Sequence, residues 1–133
     1  MNKEEFEAYL ESIGGLVNGY RTDGEPIKSA GYFSVGQGWY GLLKNLIEEL
    51  IAAGWNKQIC QSKEKFGGLR FYTNGMTEEC FKIVSKYEVL SCETCEACGE
   101  PGELRQGGCI ATLCDEHSEG RKPFPKRDET EEE

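Results

Sequence analysis

Four residues near the C-terminus have the types and the spacing that suit a zinc ion. Cys95 and Cys98 form a C-x2-C pair, and after fifteen further residues Cys114 and His117 form a C-x2-H pair. Two short chelating loops of this kind close on one tetrahedral metal ion. Three thiolates and one imidazole would complete its shell and leave no open position for water or substrate. The spacing therefore predicts a structural Zn²⁺ site.

Two further cysteines leave alternatives in the ligand set. Cys92 lies three residues before Cys95, so this pair could replace Cys95 and Cys98 as the first chelating loop. Gly99 follows Cys98 directly and favours the later pair, because a tight metal loop needs a residue that tolerates a positive φ. We expect Cys109 to be a packed side chain and not a ligand.

The residues around the ligands predict a small module over residues 92–120. Segments 102–106 and 109–113 can pair around a two-residue turn at Gly107-Gly108. Residues 114–117 can then begin a short helix, which would place the second ligand pair on one face. This order of loop, hairpin and helical turn is a treble-clef-like arrangement, and a zinc ribbon is the alternative.

A second group of residues could bind a small anion. The segment 63–72 reads KEKFGGLRFY and predicts a β-hairpin with strands 57–63 and 69–73, joined by a turn over 65–68. Backbone N–H groups of a Gly-Gly turn can approach an anion, with basic and aromatic side chains around it. The alternative is a tight hairpin whose solvent face is basic. The candidate ligand-binding residues are Lys63, Lys65, Gly67, Gly68, Arg70 and Tyr72.

Three amphipathic segments must position these groups. Residues 2–13, 39–53 and 77–91 carry apolar side chains at helical spacing. In the third segment, Phe81 and Leu90 are among the residues that we expect to face inward.

The remaining segments predict short strands and one charged tail. Residues 14–38 contain seven glycines with interleaved aromatic side chains, which is typical of short strands and loops. The sequence thus predicts an α+β domain over residues 1–91, with three helices and a small antiparallel sheet, followed by the zinc module. Residues 121–133 predict a disordered tail because two prolines precede a run of acidic residues.

Composition narrows the classes of function. The chain has 133 residues, with 24 acidic and 15 basic side chains and a net charge of −9, so a phosphate backbone would repel it. Nucleic acid is therefore a less favoured partner. Seven cysteines cannot all pair within the chain, and no apolar stretch follows Met1. We expect a cytoplasmic protein without a signal peptide or a membrane span.

The combined motifs resemble a group of small bacteriophage and prophage proteins for which no activity is established. The resemblance spans residues 38–117 and depends on the GWY segment before the second helix, on KEKFGGLRFY, and on CEACG with LCDEH. Where those proteins tend to have an aromatic residue after the hairpin glycines, this chain has Cys109. The resemblance implies a phage origin.

These observations favour a non-catalytic binding protein, such as an inhibitor or anti-defence protein that acts on a host protein. His117 is the only histidine, and its use as a ligand removes the usual general base. No nucleophile motif is present, and we expect no enzymatic activity. The alternatives are a nucleotide or signal-molecule binder that uses the 63–72 hairpin, and a nucleic-acid binder that uses the zinc module.

Overall fold

The computed structural model describes residues 1–29, 33–73 and 75–124, and this part of the chain contains three α-helices. Their positions confirm the three helical segments, and they are α1 (Lys3–Ser12), α2 (Tyr40–Ala52) and α3 (Glu78–Ser91). Asn2 and Glu5 form a capping box at the start of α1, in which each side chain accepts the other's backbone N–H. Thr77 caps α3 by accepting the N–H of Cys80 at 3.2 Å.

Short strands form three small sheets in the same described part of the chain. The strands are β1 (Leu16–Tyr20), β2 (Pro26–Ser29), β3 (Phe33–Ser34), β4 (Gln61–Lys65), β5 (Gly68–Tyr72), β6 (Glu103–Arg105) and β7 (Ala111–Leu113). β1 pairs with β2, and β6 pairs with β7, both antiparallel. The central sheet has the order β3-β4-β5, in which β4 and β5 are antiparallel and β3 runs parallel to β4. The α+β class is confirmed, and the parallel β3 is an addition to the antiparallel sheet that we predicted.

The strands β4 and β5 extend closer to their turn than the predicted strands 57–63 and 69–73. Only Phe66 and Gly67 lie between them, with φ of 53° and 81°, because Lys65 and Gly68 already pair across the two strands. Two positive φ values in a two-residue turn are typical of the type I′ hairpin, whose twist matches that of the strands. The four-residue turn predicted over 65–68 is confirmed, with Lys65 and Gly68 as its outer residues.

One hydrophobic core joins the helices to the central sheet. α2 supplies its middle, and Trp55 folds back onto it after Gly54, which has a φ of 94°. The core comprises Phe6, Leu10, Leu16, Trp39, Leu43, Leu46, Ile47, Leu50, Trp55, Ile59, Leu69, Phe71, Cys80, Val84 and Tyr87. Among the described helices, none is long and apolar enough to cross a bilayer.

The inward face of α3 differs from the predicted one. Phe81 is 63% exposed and Leu90 is 38% exposed, so both expectations were wrong. The buried stripe begins one residue earlier, at Cys80, and continues through Val84 and Tyr87. Since each helical residue turns by about 100°, this shift carries Phe81 out of the core and into solvent.

Candidate metal centre

The four residues of the C-x2-C and C-x2-H pairs meet in one cluster that could hold a metal ion. One ligand atom from each of Cys95, Cys98, Cys114 and His117 lies within 4.8 Å of all the others. Cys98 Sγ is 3.7 Å from Cys114 Sγ, and Cys114 Sγ is 3.2 Å from His117 Nδ1. Cys92 is exposed and outside the cluster, so the geometry favours the later cysteine pair.

The first chelating loop is a tight turn that presents two sulfurs on one side. The N–H of Gly99 donates to the carbonyl oxygen of Cys95 at 2.8 Å, and Gly99 has a φ of 86°. This is the conformation for which its position after Cys98 was singled out. Cys95 is fully buried, and its own N–H donates to the Glu100 carbonyl at 2.7 Å.

The second chelating loop is also a turn. The N–H of His117 donates to the Cys114 carbonyl at 3.2 Å, and no helix follows α3 within residues 92–124. The expected helical start at 114–117 was therefore wrong, because a single turn already brings the two ligand side chains together.

The hairpin that precedes this turn also differs from the predicted one, since residues 106–110 form its loop and Gly107-Gly108 are not a two-residue turn. Cys109 lies in this loop and is exposed, not packed.

A buried arginine fixes the second loop in place. Arg105 Nε donates to the carbonyl of Leu113 at 2.8 Å, and Arg105 Nη2 donates to Asp115 Oδ1 at 2.8 Å. These two acceptors flank Cys114 in sequence. Arg105 Nη1 also donates to the Arg121 carbonyl at 3.1 Å. One side chain, which is only 5% exposed, therefore joins both neighbours of Cys114 to β6.

Residues 121–124, which follow the module, pack against β6 and the loop after it. The N–H of Gln106 donates to the Lys122 carbonyl at 2.8 Å, and the N–H of Phe124 donates to the Leu104 carbonyl at 3.2 Å. The disorder predicted for residues 121–133 does not extend to residues 121–124, which add a bridge to β6. Residues 125–133 lie outside the described part of the chain.

The first chelating loop is seated against the start of α2. The N–H of Gly38 donates to the Glu96 carbonyl at 2.8 Å, and the N–H of Gly36 donates to a Glu96 carboxylate oxygen at 2.8 Å. Trp39 Nε1 donates to the Thr94 carbonyl, also at 2.8 Å. Burial raises the pKa of Glu96, the Gly36 N–H opposes this shift, and the charge of Glu64 adds to it. The module and the α+β domain are thus directly hydrogen-bonded.

The hairpin glycines lie where the hairpin packs against the C-terminal module. The N–H of Gly67 donates to Glu64 Oε2 at 2.6 Å, and the Gly67 carbonyl accepts the Thr112 hydroxyl at 2.6 Å. Both Gly67 and Gly68 are buried, and a side chain at Gly67 would overlap Leu104. The N–H and the carbonyl of Gly67 are therefore already engaged within the protein, and the role of Gly67 and Gly68 in ligand binding stays a prediction.

The four side chains predicted for ligand binding do share one face of the hairpin. Lys63 lies directly opposite Arg70, and the alternation along both strands places Lys65 and Tyr72 on the same side. The opposite side carries the buried residues Ser62, Leu69 and Phe71. This arrangement matches the alternative of a hairpin with a basic outer face, which we call the basic face (Lys63, Lys65, Arg70 and Tyr72).

The charge state of the cluster favours a bound cation. Burial would raise the pKa of the Cys95 thiol, but N–H donors from Cys114, Cys98 and Ala97 lower it to about 7. Cys98 changes in the opposite direction: the Glu100 N–H lowers its pKa, but burial and the neighbouring sulfurs outweigh this and raise it. Three thiolates at this distance repel one another, and a positive charge between them would offset the repulsion. A metal ion would supply that charge.

Several residues that build this centre carry no sequence motif. Glu96 and Arg105 act through hydrogen bonds whose partners are distant in the chain, and nothing in their spacing identifies them. The sequence identifies the contact at Gly36 and Gly38 in part, because repeated glycine before a helix indicates that another backbone approaches closely.

Comparisons with protein-family models, with curated proteins and with solved structures gave no match to this chain.

Proposed function

We propose that this chain is a non-catalytic binding protein whose C-terminal module is folded around one structural zinc ion. The observation that carries this proposal is the four-donor cluster of Cys95, Cys98, Cys114 and His117. Two sulfurs bound at 2.3 Å to one tetrahedral zinc ion would lie about 3.8 Å apart, and the Cys98 and Cys114 sulfurs are 3.7 Å apart. Three thiolates with an imidazole are a common zinc ligand set.

A zinc ion with four protein ligands has a structural role because no coordination position remains for a substrate. The same assignment uses the only histidine of the chain as a ligand. The sulfur ligands also suit a reducing compartment, and we place the protein in the cytoplasm. The resemblance to phage proteins supports the further proposal that its partner is a host protein, and that the chain acts as an inhibitor or anti-defence protein.

The zinc part of this proposal is tested with a matched pair of cysteine variants. Elemental analysis of the purified protein should give one zinc per chain, and Cys98→Ser should lose it and unfold the module. Cys92→Ser is the control, because Cys92 is an exposed cysteine three residues from Cys95 and outside the cluster. It should keep the metal. Equal zinc content in the two variants would contradict the ligand assignment.

Cobalt substitution tests the non-catalytic part. Four protein ligands predict the ligand-field spectrum of tetrahedral cobalt, and a five- or six-coordinate spectrum would indicate an open position and contradict a purely structural role.

The partner is tested by affinity capture from bacterial lysate with the wild type and with a Lys65→Ala, Arg70→Ala double variant. Partners lost only in the variant would use the basic face.

A further inference from the structure

The basic face continues into a cleft where β5 meets α3. The cleft has a volume of about 500 Å³; β5 contributes Arg70 and Tyr72 to its lining, and α3 contributes Phe81 and Glu88. This volume is in the range that small-molecule sites usually have. Charged and aromatic side chains both line this space.

The cations of the basic face have charge available for a ligand. Among the described residues, Lys63, Lys65 and Arg70 form no ion pair, although the chain is strongly acidic. Arg70 Nη1 donates to the carbonyl of Leu69 at 3.1 Å, and this contact leaves its other guanidinium N–H groups for an acceptor. Guanidinium and ammonium groups next to each other suit a phosphate.

Two aromatic rings are exposed beside these cations. Phe81 is 63% exposed and Tyr72 is 43% exposed, and both line the cleft. Lys63 Nζ lies 6.0 Å from the centroid of the Tyr72 ring, so the charge and the ring are close. Exposed rings next to cations are the arrangement with which proteins stack a nucleobase and hold its phosphate.

Glu88 adds a carboxylate to the lining of the cleft. Its Oε2 accepts the N–H of Phe71 at 3.1 Å, which fixes the carboxylate at the wall of the cleft. A carboxylate repels a phosphate but accepts N–H groups from the edge of a base. The phosphate is therefore expected at the cationic groups of Arg70 and Lys63 and not at Glu88.

We propose that this cleft binds a nucleoside monophosphate. The base stacks on the rings of Tyr72 and Phe81, and the phosphate is bound by Arg70 and Lys63. This site is separate from the metal cluster, and it shares Arg70 with the surface that the affinity-capture experiment tests for a protein partner. Compared with the site predicted from the sequence over residues 63–72, the proposed site keeps Lys63, Arg70 and Tyr72 and does not use the glycine turn.

Isothermal titration calorimetry of the zinc-loaded full chain tests the proposal with GMP, AMP, ribose 5-phosphate and inorganic phosphate. We expect at least one of the two nucleotides to bind with one site per chain. Ribose 5-phosphate and phosphate should bind at least about tenfold more weakly, because they lack the base that stacks on the rings. An absence of saturable binding by both nucleotides at millimolar concentration would overturn the proposal, and so would equal affinity for phosphate alone.

Variants then locate the site. Phe81→Ala and Arg70→Ala should each weaken nucleotide binding by about tenfold or more. Lys82→Ala is the control, since Lys82 is an exposed cation next to Phe81 that pairs with Glu78 at 3.6 Å and does not line the cleft. It should change the affinity less than about twofold. Unchanged affinity in Phe81→Ala would overturn the proposal. Zinc content, measured on each sample, reports the metal centre independently.

Discussion

The N–H of Leu69 donates to the hydroxyl of Ser91 at 2.8 Å, across the outer edge of β5. β5 is the last strand of the central sheet, so the N–H groups on this edge have no partner strand. A second such group, the N–H of Phe71, donates to the Glu88 carboxylate at 3.1 Å. Side chains of α3 thus take the place of a fourth strand and close an edge that could otherwise pair with another chain.

Replacement of Ser91 by alanine should destabilise the protein by about 1–3 kcal/mol, because the N–H of Leu69 would remain buried without an acceptor. Urea unfolding followed by circular dichroism measures this change. Ser85→Ala is the matched control on the same helix, since Ser85 makes no side-chain hydrogen bond with the described residues, and it should change stability by less than about 0.5 kcal/mol. Equal effects of the two substitutions would show that the edge contact contributes nothing.

Arg105 should control how tightly the metal is held. Arg105→Met removes the hydrogen bonds to Leu113 and Asp115 that fix the turn of the second ligand pair. Loss of contacts that orient metal ligands typically lowers metal affinity by about 10- to 100-fold. Competition with a coloured zinc chelator measures this affinity. Lys122→Met removes an exposed cation from the segment that follows the module and should leave the zinc affinity unchanged. A similar loss of affinity in both variants would contradict the role of Arg105.

The parts of the fold that the sequence predicted are those set by local pattern. Helix α1 has its capping box in residues 2–5, and helix α2 has its apolar rows within one segment. The metal ligands are likewise identified by spacing within each pair. In these cases the interacting residues are neighbours in the chain, so the sequence carries the geometry directly.

The parts that the sequence did not predict depend on contacts between distant segments. The parallel pairing of β3 with β4 joins residues about thirty positions apart, and no local pattern encodes it. Phe81 was assigned to the core because it is large and apolar, but the packing of Cys80 and Val84 decides which side of α3 is buried. The glycines of the β4–β5 turn were assigned to ligand binding, while their partner Thr112 lies 45 residues away from Gly67.

The contact between α2 and α3 should make stability depend on pH at both extremes. Lys86 donates to both carboxylate oxygens of Glu49, at 2.7 and 2.9 Å, and the Tyr87 hydroxyl donates to the same carboxylate. The Lys86 and Tyr87 hydrogen bonds lower the pKa of Glu49 below 4.5. Burial, together with the Glu49 hydrogen bond, raises the pKa of Tyr87 to about 12.

The two shifts act in different pH ranges. The contribution of Glu49 is present above pH 4.5, the ordinary value for a glutamate, and is lost as the pH falls through the lowered pKa. The contribution of Tyr87 is complete below pH 10 and is lost as the pH rises towards 12. Glu49→Gln should reduce the loss of stability on the acid side. Glu48→Gln is the control, since Glu48 is exposed and its ion pair with Lys44 is long, at 4.0 Å.

Ultraviolet titration of the tyrosines and unfolding curves at several pH values measure both effects. In Glu49→Gln the pKa of Tyr87 should fall but stay above 10, because burial is the larger cause of its shift. An unchanged acid-side slope in Glu49→Gln would contradict the role of this carboxylate.

Two glycines near the start of α2 provide a test of how the first chelating loop packs against this helix. A side chain at Gly38 would overlap the carbonyl oxygens of Cys95 and Glu96, whereas a side chain at Gly41 would meet nothing within 4 Å. Because backbone atoms cannot move aside easily, Gly38→Ala should destabilise the protein by about 1–3 kcal/mol. It should also weaken zinc retention, since the N–H of Gly38 holds the Glu96 carbonyl of the first chelating loop.

Gly41→Ala should have the opposite sign. Alanine restricts the unfolded chain and suits an open helical position, so we expect a gain of about 0.4–1 kcal/mol with no change in zinc affinity. Thermal unfolding and chelator competition on both variants measure these changes. Gly38→Ala could instead prove as stable as Gly41→Ala and bind zinc as tightly. The close approach of the first chelating loop to the start of α2, which requires a residue without a Cβ at position 38, would then be refuted.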